Sequence, residues 1–332
     1  MRTHQPQEEW AVEATDLVKR FGDLQVVDGI SLKVKKGSIY GFLGPNGAGK
    51  TTTIKMLATL LQPDGGNATV MGHDLRKDPD GVRQCISLTG QFASVDEEMS
   101  GRENLILIAR LVGFTRQGAK QRAMDLLRAF NLEDAADRQV KKYSGGMRRR
   151  IDIAASIVTA PDLLFLDEPT TGLDPRSRNQ VWDIIRALVN SGTTVFLTTQ
   201  YLEEADQLAD RIGVIDHGRL IAEGTSSELK AMVGAGRLTV HLQSSDDLPV
   251  AHRVLAEITG ETVEIDERAH RLIAQIGNHS EAAAALSRLV TEGIPITDFS
   301  MGQPSLDEVF LTLTGKPAST EEGGDNHVNQ AG

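Results

Sequence analysis

The stretch Gly44-Pro45-Asn46-Gly47-Ala48-Gly49-Lys50-Thr51 fills every fixed position of the pattern Gly-x-x-x-x-Gly-Lys-Thr. An apolar strand candidate, Ser38 to Leu43, leads into it, and a helical stretch, Thr51 to Leu60, follows. Strand, glycine-rich turn and helix start, in that order, are the context a phosphate-binding loop requires. The glycines let the backbone curl until successive N–H groups point inward at a polyphosphate, and the helix N-terminus adds the positive end of its dipole. Lys50 then reaches the β- and γ-phosphates, the Thr51 hydroxyl ligates Mg²⁺, and Thr52 completes the binding stretch. A plain glycine-rich turn would not carry all these positions between these flanks. The sequence therefore implies a bound nucleoside triphosphate on an α/β scaffold.

A second stretch belongs with the first. Pro161 opens Asp162-Leu163-Leu164-Phe165-Leu166-Asp167-Glu168-Pro169. Its four consecutive apolar residues read as a parallel strand buried on both faces, and the carboxyl end of such a strand is where open α/β sheets bind ligands. Asp167 is placed to hold the Mg²⁺ shell and Glu168 to orient the attacking water.

Between and around these stretches the chain reads as alternating elements. Ala11 to Val18 and Ile30 to Val34 are short strand candidates, with Phe21 between them either a core residue or a flat ring on which a purine stacks. Pro63-Asp64-Gly65-Gly66-Asn67 and Gly72-His73-Asp74 are turns flanking a strand at Ala68 to Met71, and Ile86 to Gly90 is a strand ending at Gln91. Ser100 to Phe114 and Gln117 to Phe130 carry apolar residues at helical spacing, a helical insertion running to about Lys142. Ser144 is a natural N-cap for a helix reaching about Thr159, so the Ser144-Gly145-Gly146 amides face outward. Arg148, Arg149 and Arg150 then sit in a first helical turn, against the dipole. A docked anion would relieve that conflict; otherwise the arginines are solvated or engaged by neighbouring acids. Thr170-Thr171-Gly172-Leu173-Asp174-Pro175 leads to a helix at Arg176 to Asn190, Thr193 to Thr198 is a buried strand ending at Gln200, and Leu202 to Ala209 is a helix. Asp216-His217-Gly218-Arg219 signals a hairpin.

Composition narrows the class. With 332 residues the chain has room for about two domains. A net charge of -11 argues against broad nucleic-acid binding. Cys85 is the single cysteine, which suits a reducing compartment. Met1 to Trp10 lack the apolar core of a signal peptide. Leu105 to Phe114 is too short to span a membrane and contains Arg110. The expectation is a cytoplasmic protein whose membrane role, if any, runs through a partner.

Taken in order, these stretches resemble the ATPase subunits of ATP-binding cassette (ABC) transporters, over residues 11 to about 230. The resemblance implies a P-loop NTPase core with an antiparallel β subdomain and a helical signature subdomain at about 92–160, together spanning residues 1–233. It makes residues 44–51 the Walker A motif, Gln91 the Q-loop glutamine that contacts nucleotide and metal, and Ser144-Gly145-Gly146 the signature. Asp167 and Glu168 close the Walker B strand, Asp174 is the D-loop aspartate, and Phe21 falls where an aromatic ring stacks on adenine. Two departures stand out. The signature begins with Tyr143 and continues with Met147, where Leu and Gln are commoner. The switch position holds Gln200 instead of histidine, and its amide can donate to a phosphate oxygen but cannot carry a proton. Gln200 is therefore expected to sense the γ-phosphate, with Glu168 the principal water-orienting group.

Tyr143 to Asp152, Gln200 to Asp206 and Pro304-Ser305-Leu306-Asp307-Glu308-Val309-Phe310 resemble the daunorubicin/doxorubicin-resistance group of exporter ATPases. That resemblance implies ATP and Mg²⁺ as cofactors, a head-to-tail homodimer burying ATP at its seam, and a separate polytopic permease driven through residues near Phe92 to Glu103. It places the protein on the inner face of the cell membrane, in drug or antibiotic efflux. Lipid, polysaccharide or other export, or a binding-only regulator, are the alternatives.

Gly234 and Gly236 mark a boundary. Beyond it Leu238 to Leu242, Val250 to Ile258, Thr262 to Ile265, Arg271 to Ile276, Ser280 to Thr291 and Ile296 to Phe299 read as β-α-β-β-α-β, a small ferredoxin-like α+β domain over 234–316 with a final helix at Ser305 to Leu313. His241, His252, His270 and His279 lack ligand-like spacing, and the domain is expected to serve pairing or regulation. Residues 317–332 are polar, Gly/Glu-rich and expected to be disordered.

Overall fold

The structure, a computed structural model, describes residues 10–90, 95–232, 236–260, 263–302 and 305–315. Gln91, Phe92, the boundary glycine Gly234 and the tail beyond 315 lie outside the described residues. The chain opens with β1 (Trp10–Phe21), β2 (Leu24–Lys35) and β3 (Ile39–Leu43), the last feeding the phosphate loop into α1 (Lys50–Leu57). β4 (Gly65–Val70), β5 (His73–Asp74), α2 (Pro79–Cys85) and β6 (Ile86–Thr89) follow. Then come α3 (Gly101–Leu111), α4 (Arg116–Ala129), α5 (Gly145–Ser156) and β7 (Leu163–Asp167). The chain continues through α6 (Pro175–Asn190), β8 (Thr194–Thr199), α7 (Leu202–Leu208), β9 (Arg211–Asp216), β10 (Arg219–Gly224) and α8 (Ser226–Ala231). Beyond are β11 (Gly236–Leu242), α9 (Leu248–Thr259), β12 (Val263–Asp266), β13 (Arg271–Ile276), α10 (His279–Thr291), β14 (Ile296–Gly302) and α11 (Leu306–Thr314).

The central sheet has the order β10-β9-β3-β8-β7-β6, parallel from β9 to β6. β3, β7 and β8 are buried along their whole length, which is why they read as unbroken apolar runs. The order sets β8 between the strand that enters the phosphate loop and the strand that ends in Asp167. One face of this sheet and α1 pack against the antiparallel sheet β2-β1-β4-β5, in a core containing Leu17, Ile30, Phe42 and Phe165. The other face packs with α3 to α6 around Leu105, Leu127, Ile151 and Trp182. Ser100 and Glu103 start α3 as a reciprocal capping box.

Past α8 the sheet β12-β13-β11-β14 is antiparallel throughout and carries α9 and α10 over its own core of Leu238, Val240, Leu255, Leu272 and Leu289. The last helix, α11, turns back: Leu306, Val309 and Phe310 bury themselves with Leu43, Leu202, Ala205 and Val214 of the phosphate-binding core.

Several boundaries differ from expectation for local reasons. The first hairpin is longer than its short strand candidates, because register shifts and a left-handed Asp16 (φ 51°) break the period-two pattern. α1 stops at Leu57, where Thr59 turns left-handed (φ 61°). α5 stops at Ser156 and not near Thr159, ahead of a left-handed Ala160. The turn at Gly72-His73-Asp74 also contributes the two-residue strand β5. α2 and α8 are additional short helices, capped by Asp78 and Thr225. Phe21 is not a core residue: it ends β1 half-exposed, with Lys19 Nζ 5.7 Å from its ring centre.

Candidate nucleotide site

The loop after β3 is shaped by what its glycines permit. Gly47 and Gly49 take φ values of 81° and 104°, which favour glycine. A Cβ on Gly49 would lie 2.7 Å from the Val26 carbonyl oxygen, and one on Gly44 would strike Ile215. The loop is tied down by Gly44 N–H donating to Thr199 O (3.2 Å), Ala48 N–H to Pro45 O (3.2 Å) and Gly218 N–H to Ala48 O (3.0 Å). Pro45 and Asn46 complete the curl, and Lys50, Thr51 and Thr52 open α1, whose first turn carries no acidic side chain. A helix start free of carboxylates, fed by a left-handed glycine, suits an anion.

Lys50 is 4% exposed, and its ammonium donates to Gly44 O (2.7 Å) and Pro45 O (3.1 Å) while pairing with Glu168 Oε1 at 3.2 Å. Burial pulls its pKa below the usual lysine value, with Glu168 and Asp167 opposing. Thr51 Oγ1 donates to the Asp167 carboxylate, 2.9 and 3.2 Å from its two oxygens. Thr198 Oγ1 donates to Asp167 Oδ1 at 2.6 Å. Glu168 takes a left-handed φ of 49°, and its N–H points at Thr198 O and Oγ1, each at 3.1 Å. Lys50, Thr51, Asp167, Glu168 and Thr198 thus meet where β3, β7 and β8 end. Gln200 follows directly, after Thr199 has received Gly44 N–H. The hydroxyl of Thr51 and the carboxylate of Asp167 are hard oxygen donors that fit Mg²⁺, which takes few protein ligands beside phosphate and water.

Ser144, Gly145 and Gly146 stand apart from that cluster. Ser144 caps α5 by accepting Met147 N–H at 3.3 Å; a Cβ on Gly145 would touch Leu173, and one on Gly146 would strike Ser177. Asp174 caps α6: its carboxylate accepts Ser177 N–H (3.0 Å) and Oγ–H (2.6 Å), which hold its pKa below the carboxylate range. The Ser144-Gly145-Gly146 stretch therefore lies against Leu173 and Ser177 of its own chain. The three arginines resolve through backbone carbonyls more than acids. Arg150 donates to Phe130 O at 3.0 Å, and Arg149 to Gly90, Asp167 and Pro169. Arg148 donates to Lys141 O (2.7 Å) and pairs with Glu97 at 3.3 Å.

Two residues that sequence reasoning did not single out complete the surroundings. Thr198 was visible only as the end of a strand. Glu204 is fully buried and accepts from Thr170 Oγ1 (2.8 Å) and Trp182 Nε1 (3.1 Å), with burial pushing its pKa up. It locks the loop after Glu168 to α6 and α7. A buried carboxylate in an amphipathic helix was the one available signal.

A phosphate loop ending one parallel strand, a paired Asp-Glu ending its second neighbour and a Ser-capped Gly-Gly helix start define an ATP-binding cassette. Residues 27–171 match the family described as ABC transporter, and residues 224–314 the family described as ATP-binding protein DrrA1-3-like, C-terminal domain. The chain belongs to the ABC transporter ATP-binding family and is an ATPase of that family. It is 58% identical to the daunorubicin/doxorubicin resistance ATP-binding protein DrrA of Streptomyces peucetius over 94% of this chain and 96% of that one. It is 36% identical to the linearmycin resistance ATP-binding protein LnrL of Bacillus subtilis, over 92% and 98% of the two chains. Among solved structures, an ATP-binding cassette described as the ADP conformation of MJ1267 superposes with a TM-score of 0.60 at 26% identity, covering 66% of this chain and 92% of that one. No helix among the described residues is long and apolar enough to cross a membrane.

Proposed function

We propose that two copies of this chain close head to tail on ATP and Mg²⁺, hydrolyse the ATP, and thereby drive a separate polytopic permease that exports a drug or antibiotic. The observation that carries the reading is that Lys50, Thr51, Asp167 and Glu168 converge as one half-site, whereas Ser144 and Gly145, exposed at the start of α5 with the buried Gly146 packed on Ser177, form the other. Each half-site is completed by the other copy, an isologous arrangement. Residues 44–52 bind the phosphates, Phe21 stacks on adenine, Gln91 and Asp174 serve the nucleotide, and Gln200 donates to the γ-phosphate. Glu168, held by Lys50 and its left-handed backbone, orients the attacking water and takes its proton. Thr51, Asp167 and Gln91 hold Mg²⁺, which supplies charge neutralisation on the phosphates.

The permease and the efflux role rest on the resistance ATP-binding proteins that the chain resembles. On this reading residues 1–233 are the engine, 234–316 the accessory domain, and the protein lies at the inner face of the cell membrane through its permease. Phosphate release by the purified chain tests the enzyme. Lys50→Ala and Glu168→Gln should each lower turnover by about 10²-fold or more. Full turnover in Glu168→Gln with abolition in Gln200→Ala would overturn the assignment of Glu168. Recovery of the chain from membranes together with a polytopic protein, and ATP-dependent daunorubicin transport by those membranes, test the exporter role; recovery without any such protein contradicts it.

A further inference from the structure

Arg149 lies in the second turn of α5, on the helix that starts at Ser144, yet its guanidinium donates to backbone carbonyls on both sides of Glu168 and just past β6. Nε donates to Pro169 O at 2.8 Å, Nη2 to Asp167 O at 3.2 Å and Nη1 to Gly90 O at 2.9 Å. The first two carbonyls flank Glu168, and the third belongs to the residue directly before Gln91. Glu168 needs such a clamp, because its φ of 49° is one a non-glycine residue keeps only when its surroundings impose it. Its N–H is already pinned from the other side by Thr198. The arginine is part-buried, and burial opposes its charge while Asp152, Glu204 and Asp167 sustain it. The planar fork of arginine suits three carbonyls in different directions; lysine supplies one point charge and glutamine one amide.

We propose that Arg149 is a positioning residue for hydrolysis: acting from the signature helix, it fixes the backbone on both sides of Glu168 and so sets where that carboxylate points. This rests on Glu168 being the water-orienting group.

The test uses the full-length chain with MgATP. Arg149→Gln and Arg149→Lys should each lower kcat at least tenfold while KM for ATP stays within twofold. In a Glu168→Gln background, single-turnover hydrolysis should change less than twofold on adding Arg149→Gln, because residues acting as one unit are non-additive. An unchanged kcat in both variants overturns the proposal. So does a loss in the Glu168→Gln background as large as in the wild type, since Arg149 would then act elsewhere. If Arg149→Gln does not fold, Arg149→Lys carries the same comparison; failure of both to fold makes Arg149 a stability residue and also overturns it. Full turnover in Glu168→Gln alone refutes the role of Glu168 instead, and so distinguishes the two.

Discussion

Replacing Gly146 by alanine adds one methyl group at a place where the chain has no room for it. The new Cβ would lie 2.6 Å from Ser177 Cβ, and closer still to its hydroxyl. Ordinary carbon contacts sit near 3.5–4.0 Å, so Ser177 must retreat by about 1 Å. Ser177 cannot retreat alone, since its N–H and hydroxyl are both held by the Asp174 carboxylate that caps α6. Overpacking of this kind costs about 1–3 kcal/mol, and a weakened cap adds roughly 0.5–2 kcal/mol. At about 2–4 °C per kcal/mol for a domain of this size, the melting temperature should fall by about 3–20 °C. Calorimetry on wild type and Gly146→Ala measures the loss. Adding Ser177→Gly removes both clashing atoms, so the double variant should be more stable than the sum of the single changes predicts. Strict additivity, or a melting temperature unchanged in Gly146→Ala, would refute the claim that packing against Ser177 is what requires glycine here.

Thr198→Val keeps the shape of a buried side chain but removes the hydroxyl that orients Asp167 at 2.6 Å. The Mg²⁺ concentration for half-maximal ATPase should rise about 10–100-fold, measured by titration of Mg²⁺ at fixed ATP; no change refutes the orienting role. Glu204→Leu leaves the buried donors of Thr170 and Trp182 unpaired, at a cost of about 1–3 kcal/mol each, read from denaturant unfolding. The same residue gives a pH dependence. Its folded pKa lies above the unfolded value, so between the two the folded state keeps a proton that the unfolded state has lost. The wild type should therefore lose stability as pH rises through that window, relative to Glu204→Gln, and melting curves across it should show the gap. A constant difference contradicts the raised pKa.

The phosphate loop was legible because its steric demands are written as glycine. Gly47 and Gly49 are left-handed, and Gly44 and Gly49 have backbone where a side chain would go. The acidic pair was legible because a strand buried on both faces must be apolar until it reaches solvent or ligand. The left-handed Glu168 was not legible, since nothing in a glutamate announces that backbone. The hairpin β1-β2 was under-read because bulges disturb its alternation. Arg149 and Glu204 act between segments far apart in sequence: Arg149 reaches a carbonyl 59 residues away, and Glu204 a hydroxyl 34 away. The arginine run looked electrostatically wrong for a helix start because local pattern does not reveal distant carbonyls. Of the three only Arg148 falls in the first turn of α5, and the guanidiniums reach mainly backbone carbonyls outside that helix.

The central claim is that one chain carries two halves of different ATP sites. Light scattering on Glu168→Gln, with and without MgATP, tests it most directly. The mass should double only when ATP is present, and should stay at one chain when Ser144→Arg is added even though ATP still binds. A chain that binds ATP yet remains single in Glu168→Gln, or that dimerises equally well with Ser144→Arg, would contradict it.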